Sequence, residues 1–373
     1  MKSIIQLKKK IVKFFAEKGF DFLTSVPQKR MAEIILSSGM KGNTGKTSDY
    51  AEYGSVSRTT YGHFLSKGKW NEEKAKKIQK RETLSTVVEK AKKTGKPIYI
   101  KIDDTVCEKK PPSSKAKNPT EGTGWHYAHL ENDFVFGHQV HTTMVECGEA
   151  DLCYGMSRYE KGKKTKIEMT LDIISELPHA KQKSYALLDS WYTSAAVING
   201  FTSKNYSVIG AIKTNRVIYP DSAKISIADY AKTLTADAFH SVTVKNVEYL
   251  VFRHEGRLNG IEKAAVLLTY PKDNFGVKSA LRVFICTDLA LSGDEIFRHY
   301  AHRWSIETFF QLQKKYFGLN KFMIRSKKAI DRFLLILSVA HFFFTTALGK
   351  LFSFADSLHF LRDNWLNQFK FAL

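Results

Sequence analysis

The sequence predicts an α/β protein, in which helices pack on a mixed β-sheet that an all-β segment interrupts and a helical segment precedes. Three observations lead to this fold class. Residues 1–92 have a helical pattern, strands and helices alternate after Pro97, and residues 214–292 show only strands and turns. Alternating strands and helices are typical of a sheet covered by helices. At 373 residues with 43% hydrophobic composition, the chain is long enough for two or three domains.

The charge of the chain favours a polyanionic partner. The 58 Lys and Arg outnumber the 37 Asp and Glu, and the net charge is +21. The excess is spread over clusters such as QLKKK and KKTKIE, which suits DNA or RNA, because each neutralised phosphate releases counterions. The four cysteines show no CxxC spacing, so free thiols in a reducing compartment are expected. The N-terminus does not have the pattern of a signal peptide.

The helical segment has the outline of a helix-turn-helix. A short helix is predicted around Ser48–Tyr53, a turn at Gly54, and a second helix from Ser57, whose hydroxyl can cap it. Arg58 then lies at the start of the second helix, where side chains of a recognition helix reach a DNA groove. An ordinary helical hairpin would show the same pattern, and the positive charge favours DNA binding.

The first strand is predicted in PIYIKIDDTV, where β-branched residues alternate with polar ones. It ends in Asp103 and Asp104, before a polar, Pro-rich loop that extends to about residue 123. Strands at about 134–147 and 150–158 share a short turn at Gly148, so they are predicted to be antiparallel.

A helix follows at about 164–177, capped by Thr165 and ended by Pro178. The apolar run in SYALLDSWYTS predicts a strand that ends at Asp189, with a helix from Ser194 and a further strand in YSVIGAIKT. Two aspartates are therefore expected at strand ends, where they act either as structural caps or as catalytic groups.

The stretch HYAHRWSIETFFQLQKKYFGLNK predicts one helix from about Asp294 to Phe317. Four of its residues fall within an arc of about 60° on one helix face: Tyr300, Arg303, Glu307 and Lys314. An Arg303–Glu307 pair on a solvated face would explain this pattern equally simply. Large apolar residues surround the stripe, however, so most of the helix is expected to be buried or at an interface. A buried acid among cations suits a site for a metal and a polyanion.

The segment FLLILSVAHFFFTTALG, residues 333–349, is nearly uncharged and has the minimum length of a membrane span. His341 and several hydroxyl side chains favour a buried core helix instead. No membrane association is therefore predicted.

Three acids stand out in chain order, namely Asp104, Asp189 and Glu307. Carboxylates are the ligands that Mg²⁺ prefers, and two such ions can promote an in-line displacement at phosphorus. The alternative is that the three acids do not meet in space.

The chain resembles the DDE transposases of bacterial insertion sequences, in the group marked by the signature Tyr-(2)-Arg-(3)-Glu-(6)-Lys. Tyr300, Arg303, Glu307 and Lys314 match this signature at every spacing. IDDT and LLDSWYTS match the contexts of the two aspartates, and Asp104 is chosen over Asp103 because it directly precedes a threonine. The resemblance covers residues 98–348.

The resemblance implies an RNase H-like fold whose sheet is interrupted by a β domain. It implies that Asp104, Asp189 and Glu307 are catalytic and bind two Mg²⁺ ions, for which Mn²⁺ can substitute. The implied reaction is cut-and-paste transposition: one strand is hydrolysed, and its 3′-OH then acts as the nucleophile, commonly with a hairpin at the transposon end.

The same likeness implies that Tyr300, Arg303 and Lys314 hold phosphates near the cleavage point. Trp304 either stacks on a displaced base or packs in the core. Lys213 and Arg216 resemble basic residues that contact the DNA backbone.

The expected organisation is a DNA-binding domain at 1–92, a catalytic domain at 93–213 and 293–350, a β insertion at 214–292 and a helical tail at 351–373. The expected partners are double-stranded transposon ends with their terminal inverted repeats, target DNA and a second copy of the chain, in the bacterial cytoplasm. The sequence ends soon after its last long helix, so a C-terminal dimerisation region is expected to be short or missing. Two alternatives remain, a nuclease of the same fold without strand transfer and a non-catalytic or decayed DNA-binding protein.

Overall fold

The computed structural model describes residues 2–41, 45–128, 132–244 and 247–347. The predicted tail at 351–373 lies outside these residues. The chain divides into two compact units. Unit 1 comprises Met1–Thr94, Asp104–Lys163 and Glu307–Leu373, and unit 2 comprises Gly95–Asp103 and Lys164–Ile306. The predicted domain boundaries remain predictions.

Unit 1 begins with five helices: α1 (Lys2–Glu17), α2 (Ser25–Lys41), α3 (Thr47–Tyr53), α4 (Arg58–Ser66) and α5 (Glu72–Thr94). The fully buried Glu33 joins three of them, because it accepts hydrogen bonds from Lys8 at 2.7 Å and Tyr61 at 2.7 Å. Burial alone would raise the pKa of Glu33, but these bonds hold it below its usual value. Gly54 is required between α3 and α4, since a Cβ there would overlap the Tyr61 hydroxyl.

Four strands follow: β1 (Ile98–Glu108), β2 (Gly124–Ala128), β3 (Asp133–Cys147) and β4 (Ala150–Tyr159). The predicted antiparallel turn is confirmed by the pairing of Cys147 with Ala150. Two expectations were wrong. The prediction did not include β2, which pairs with β3 after the Pro-rich loop. In addition, β1 continues past Asp103 and Asp104, so these acids lie inside a strand and not at its end.

In unit 2, residues 98–102 of β1 pair in parallel with β5 (Ser184–Leu188), and β5 pairs in parallel with β6 (Ser207–Ile212). Helix α6 (Lys166–Glu176) precedes β5, and α7 (Ala195–Thr202) joins β5 to β6. The predicted cap at Thr165 is confirmed, since Thr165 forms a capping box with Glu168, and the Ser194 hydroxyl accepts from the Val197 amide. Both α6 and α7 therefore begin where the sequence indicated. The predicted cap at Ser57 is wrong, because its side chain accepts no hydrogen bond from the amides of α4.

The remaining elements before residue 290 are β7 (Val217–Ile218), β8 (Ile225–Ser226), the short α8 (Ile227–Thr233), β9 (His240–Val244), β10 (Val247–Leu258), β11 (Ile261–Pro271) and β12 (Arg282–Cys286). The strand order within unit 2 is β1-β5-β6-β12-β11-β10-β7-β8, and β9 pairs with β10. Because β12 pairs antiparallel with β6, the strands of the predicted insertion continue the sheet formed by β1, β5 and β6. The prediction that this segment is all-β was wrong, since it contains α8.

The predicted single helix from Asp294 to Phe317 is wrong. The structure has α9 (Gly293–Tyr300), a 3₁₀ turn at Ala301–Trp304, and α10 (Ser305–Tyr316). The segment contains no Gly or Pro, so local propensity does not explain the tighter turn. Tertiary contacts coincide with it: the His302 ring stacks on Tyr99 at 4.3 Å, and Arg303 pairs with Asp103.

The last described helix, α11 (Lys327–Thr346), begins at Ser326, whose hydroxyl accepts from the Ala329 amide. Among the described residues it alone has the length and composition of a membrane span, and most of its apolar stretch is buried within the protein. This burial is typical of a core helix, as the sequence predicted.

Candidate functional site

Two aspartates directly follow the last paired residues of the parallel strands β1 and β5 in unit 2. The register of β1 and β5 pairs Ile102 with Leu188, and the next residues are Asp103 and Asp189. Because side chains alternate along a strand, Asp103 shares the sheet face of Tyr99 and Lys101. This is the face on which Tyr99 joins a buried core with Leu187.

Helix α9 places Tyr300 over this face. The helix starts with a capping box between Ser292 and Glu295, and the Tyr300 ring lies 4.6 Å from the Phe284 ring. Burial raises the pKa of Tyr300 to about 12; Arg303 opposes the shift, and the charges of Asp189 and Asp103 add to it. The phenol is therefore protonated at neutral pH and can donate a hydrogen bond.

The 3₁₀ turn that follows places Arg303 next to the first strand. Its Nη1 donates to Oδ2 of Asp103 at 2.9 Å, and its guanidinium carbon is 5.8 Å from the centre of the Tyr300 ring. In a 3₁₀ turn, residues three apart lie directly above one another, which brings Tyr300 and Arg303 to one side. The first two signature residues therefore lie beside Asp103.

The carboxylate of Asp189 is held by the turn that follows β5. Its Oδ1 accepts hydrogen bonds from the backbone amides of Trp191 at 2.9 Å and Tyr192 at 3.2 Å. Local bonds of this kind are typical of aspartate at a turn. They orient the second acid before any ligand binds.

Two cavities in unit 2 adjoin these residues. A cavity of about 300 Å³ is lined by Tyr249, Thr269, Arg282, Phe284, Phe297, Tyr300, Ala301, Arg303 and Trp304. A second, of about 450 Å³, is lined by Ser190, Ala211, Ile212, Lys213, Thr214, Asn215, Leu281, Arg282, Val283 and Phe284. Arg282 and Phe284 contribute to both cavities, and no pattern in the sequence distinguished them.

Trp304 lies at the first cavity, and its side chain is 58% exposed. A ring that is more than half exposed does not fit the core-packing interpretation. Its exposed face is accessible to a planar partner.

The two basic residues after β6 differ in their surroundings. Lys213 is exposed and lines the larger cavity, with its Nζ 6.0 Å from the centre of the Trp191 ring. Arg216 is half-buried and donates from Nη1 to the carbonyl of Thr193 at 3.2 Å, and burial lowers its pKa. Of the two, Lys213 is more accessible to DNA.

Unit 1 holds the other predicted acids. Asp104 accepts a hydrogen bond from Nε2 of Gln139 on β3. Glu307 is half-buried in the first turn of α10, where a helix N-terminus favours negative charge. Phe309 and Phe310, which follow it, are buried and anchor the helix.

Lys314 lies seven residues after Glu307, on the same face of α10. Burial raises the pKa of the Cys107 thiol to about 11, and the positive charges of Lys314 and Lys109 oppose that rise. Lys314 therefore lies close to β1 within unit 1. Arg58, the remaining predicted DNA contact in unit 1, is exposed in the first turn of α4.

The structure thus brings Asp189, Tyr300 and Arg303 together in unit 2 with Asp103, an acid that the prediction had set aside. The alternation in IYIKIDD could have identified Asp103, since it places this residue on the opposite face of the strand from the three isoleucines. Among the described residues, no group of three or more His, Cys, Asp or Glu is arranged to hold a metal ion. The predicted ligands suit Mg²⁺ chemically, because they are carboxylates and Mg²⁺ binds oxygen ligands.

The family described as transposase DDE domain matches residues 102–343, more than half of the chain. That range includes Asp103, Asp189 and the whole signature from Tyr300 to Lys314. No curated protein matches the sequence significantly. Transposases act on DNA, which is therefore the class of substrate. The chain belongs to the family of transposases with a DDE domain.

Proposed function

We propose that this protein cuts DNA strands at the ends of an insertion sequence and joins them to target DNA, as in cut-and-paste transposition. One observation carries the proposal beyond family membership. Asp103 and Asp189 directly follow the last paired residues of the parallel strands β1 and β5, with the signature Tyr300 and Arg303 beside them. Acids and a cation at the carboxyl ends of parallel strands are typical of an α/β active site.

The reaction needs no outside energy source. In the first step the oxygen of water attacks phosphorus, the bond to the 3′ oxygen breaks, and a 3′-OH and a 5′-phosphate remain. In the second step that 3′-OH attacks a phosphodiester of the target. One phosphodiester bond forms as another breaks, and the displaced target 3′ oxygen takes up the proton.

Asp189, Glu307 and one member of the Asp103–Asp104 pair would hold two Mg²⁺ ions, for which Mn²⁺ can substitute. Bound Mg²⁺ supplies activation of the attacking oxygen and stabilisation of the leaving oxygen. Asp103 is our choice for the first acid, since it shares a sheet face with Asp189 and contacts Arg303. Asp104, which the sequence context favours, is the alternative.

The signature residues would bind the DNA backbone around the scissile phosphate. Arg303 and Lys314 provide positive charge, and the protonated Tyr300 provides a hydrogen-bond donor. Trp304 would stack on a displaced base, which its exposed ring and the adjoining cavity support. Lys213 would contact the backbone from the larger cavity, and Arg216, already bonded to Thr193, would support that loop.

Recognition of the transposon end is proposed for the helical region 1–92. Helices α3 and α4 are joined by a short turn, and the start of α4 exposes Arg58, Thr59 and Thr60. This matches the arrangement in which the N-terminal residues of a recognition helix contact base edges. The protein would act in the bacterial cytoplasm as a dimer on double-stranded DNA, with residues 93–213 and 293–350 as its catalytic domain and 214–292 as its insertion.

The decisive experiment is cleavage of a labelled duplex that carries the element's own end. Wild type is compared with Asp189→Asn, each in Mg²⁺ and in EDTA. Nicking at the end that requires Mg²⁺ and is absent in the variant is the expected result. If wild type binds the end and never cuts it, the protein is a DNA-binding protein without this activity.

A second assay separates transposase from nuclease. The cut end is incubated with a supercoiled target plasmid, and joined products are sought. Joining supports transposition, whereas cutting without joining identifies a nuclease of the same family.

A further inference from the structure

Arg332 of α11 is only 2% exposed, and its guanidinium donates hydrogen bonds to the C-terminal end of α4. Its Nη1 donates to the carbonyl oxygens of Phe64 at 3.1 Å and Leu65 at 3.2 Å. Both carbonyls belong to the last turn of α4, where the helix leaves its acceptors unpaired. A positive charge near the C-terminus of α4 also interacts favourably with the negative end of the helix dipole.

The same guanidinium holds the start of α5. Nη2 donates to Oε2 of Glu72 at 2.7 Å, and the guanidinium carbon lies 4.6 Å from the centre of the Trp70 ring. Trp70 in turn stacks on Phe64 at 5.6 Å. Burial alone would raise the pKa of Glu72, and the hydrogen bond from Arg332 brings it below its usual value. One side chain therefore fixes the segment that joins α4 to α5.

At its other end, α11 contacts the helix that carries Glu307. The ring of His341 meets the ring of Phe309 edge-on at 4.9 Å, and Phe344 lies 5.6 Å from Phe317. Arg332 and His341 are nine residues apart, a distance of about 13.5 Å along a helix. The middle of α11 is also held, because Gln79 of α5 donates to the carbonyl of Ser338 at 3.2 Å.

We propose that Arg332 is a positioning residue that locks α4 onto α11, and thereby sets the distance between the DNA sequence read by α4 and the phosphodiester cut beside Glu307. This inference rests on the proposed function, in which α4 reads the transposon end. Arg58, Thr59 and Thr60 are exposed at the start of α4, whereas Phe64 and Leu65, whose carbonyls bond to Arg332, are buried at its end. The choice of bond to be cut then depends on a contact that touches no DNA.

The first test compares cut positions in three proteins: wild type, Arg332→Lys and the double variant Glu72→Gln with Arg332→Met. Lysine keeps the charge but lacks the planar fork whose two nitrogens separately reach the carbonyls and Glu72, and the double variant leaves no buried charge unpaired. Arg158→Lys is the control, since Arg158 is a similarly buried arginine that pairs with Asp331 of α11 at 3.2 Å.

In folded variants we expect affinity for the end to stay within about threefold, because the exposed face of α4 is unchanged. Cleavage should fall about tenfold or more, the loss expected from a small misplacement of the reacting groups. The cuts should also spread over neighbouring phosphodiesters. Wild-type rate and position in both Arg332 variants would overturn the proposal, as would equal spreading in Arg158→Lys.

A second test needs no DNA, so it separates this proposal from the proposed function. Spin labels on Thr59→Cys in α4 and Gln311→Cys in α10 report the distance between the two helices; both native side chains are exposed, and the native cysteines are buried. One narrow distance distribution is expected with Arg332, and a broad one in its variants. Identical distributions would overturn the locking role, whatever the protein does with DNA.

Discussion

Arg303 donates a hydrogen bond to Asp103 at 2.9 Å, although 200 residues separate them in the chain. Their side chains are only 12% and 17% exposed, so the pair is better shielded than a surface salt bridge. It connects the signature segment to the first strand of the parallel layer. The signature arginine therefore distinguishes Asp103, which it contacts, from the adjacent Asp104.

The variants Asp103→Asn and Asp104→Asn test which of the two aspartates is the catalytic acid. Asn keeps the shape of the side chain and removes the charge that a metal needs. If Asp103 is the ligand, its variant should lose cleavage by on the order of 1,000-fold, equivalent to about 4 kcal/mol of lost stabilisation. Asp104→Asn should retain cleavage within about tenfold, since its bond from Gln139 can be kept. The reverse result in the duplex cleavage assay would assign Asp104.

Glu307→Gln should separate binding from chemistry. The substitution keeps the size of the side chain in the first turn of α10, so DNA affinity should change by less than about threefold. Cleavage should be abolished, because a metal-binding charge is removed. Binding is measured by gel shift in Ca²⁺ and cleavage in Mg²⁺. Retained cleavage would refute the role of this acid.

Arg303→Ala should weaken DNA binding in a salt-dependent way. If the arginine neutralises one phosphate, the slope of log affinity against log salt should become shallower by about 0.9. Cleavage should also fall, while Arg303→Lys should keep most of the slope and lose part of the rate, since lysine lacks the fork of donors. An unchanged slope and rate in Arg303→Ala would exclude the phosphate role.

Trp304→Ala should lower cleavage without destabilising the fold. The ring is 58% exposed, so the free energy of unfolding should change by about 0.5 kcal/mol or less. Loss of one base stack should reduce cleavage about tenfold, and Trp304→Phe should restore part of it. Trp125→Ala, at a tryptophan of 55% exposure on β2, is the control. Equal effects at Trp125 and Trp304 would argue against a specific stack.

His138 should make the fold acid-sensitive. Burial lowers its pKa to about 4, and the charges of Arg158 and Lys109 add to the shift. Between pH 6.5 and 4 the unfolded chain binds a proton that the folded protein does not, so stability falls as pH falls through this window. The shift corresponds to about 3 kcal/mol. Urea unfolding of wild type and His138→Gln from pH 7 to 4 measures the difference, and parallel curves would contradict it.

The sequence predicted correctly those helix and strand ends that depend on contacts between residues close together in the chain. Thr165 and Ser194 cap helices because their hydroxyls accept from amides three residues later. Gly148, with its positive φ of 59°, lies in the turn between β3 and β4. These features involve neighbours in the chain, so the sequence alone contains them.

Elements that depend on distant partners were predicted less well. The five residues of β2 form a strand through pairing with β3, and GWHYA has no strong pattern of its own. The break in the predicted helix coincides with contacts from Tyr99 and Asp103, about 200 residues earlier. Arg282 was likewise not predicted as a cavity residue, because it lines the two cavities only through the way the fold packs around it.

The sequence by itself determined the family, since the spacing of Tyr300, Arg303, Glu307 and Lys314 and the contexts of the aspartates are properties of a linear chain. Only the tertiary structure decided which of Asp103 and Asp104 faces Tyr300 and Arg303. Adjacent residues of a strand point to opposite faces, and the linear pattern does not say which face the later helix will cover. The pairing of β1 with β5 and the packing of α9 on that face supply the answer.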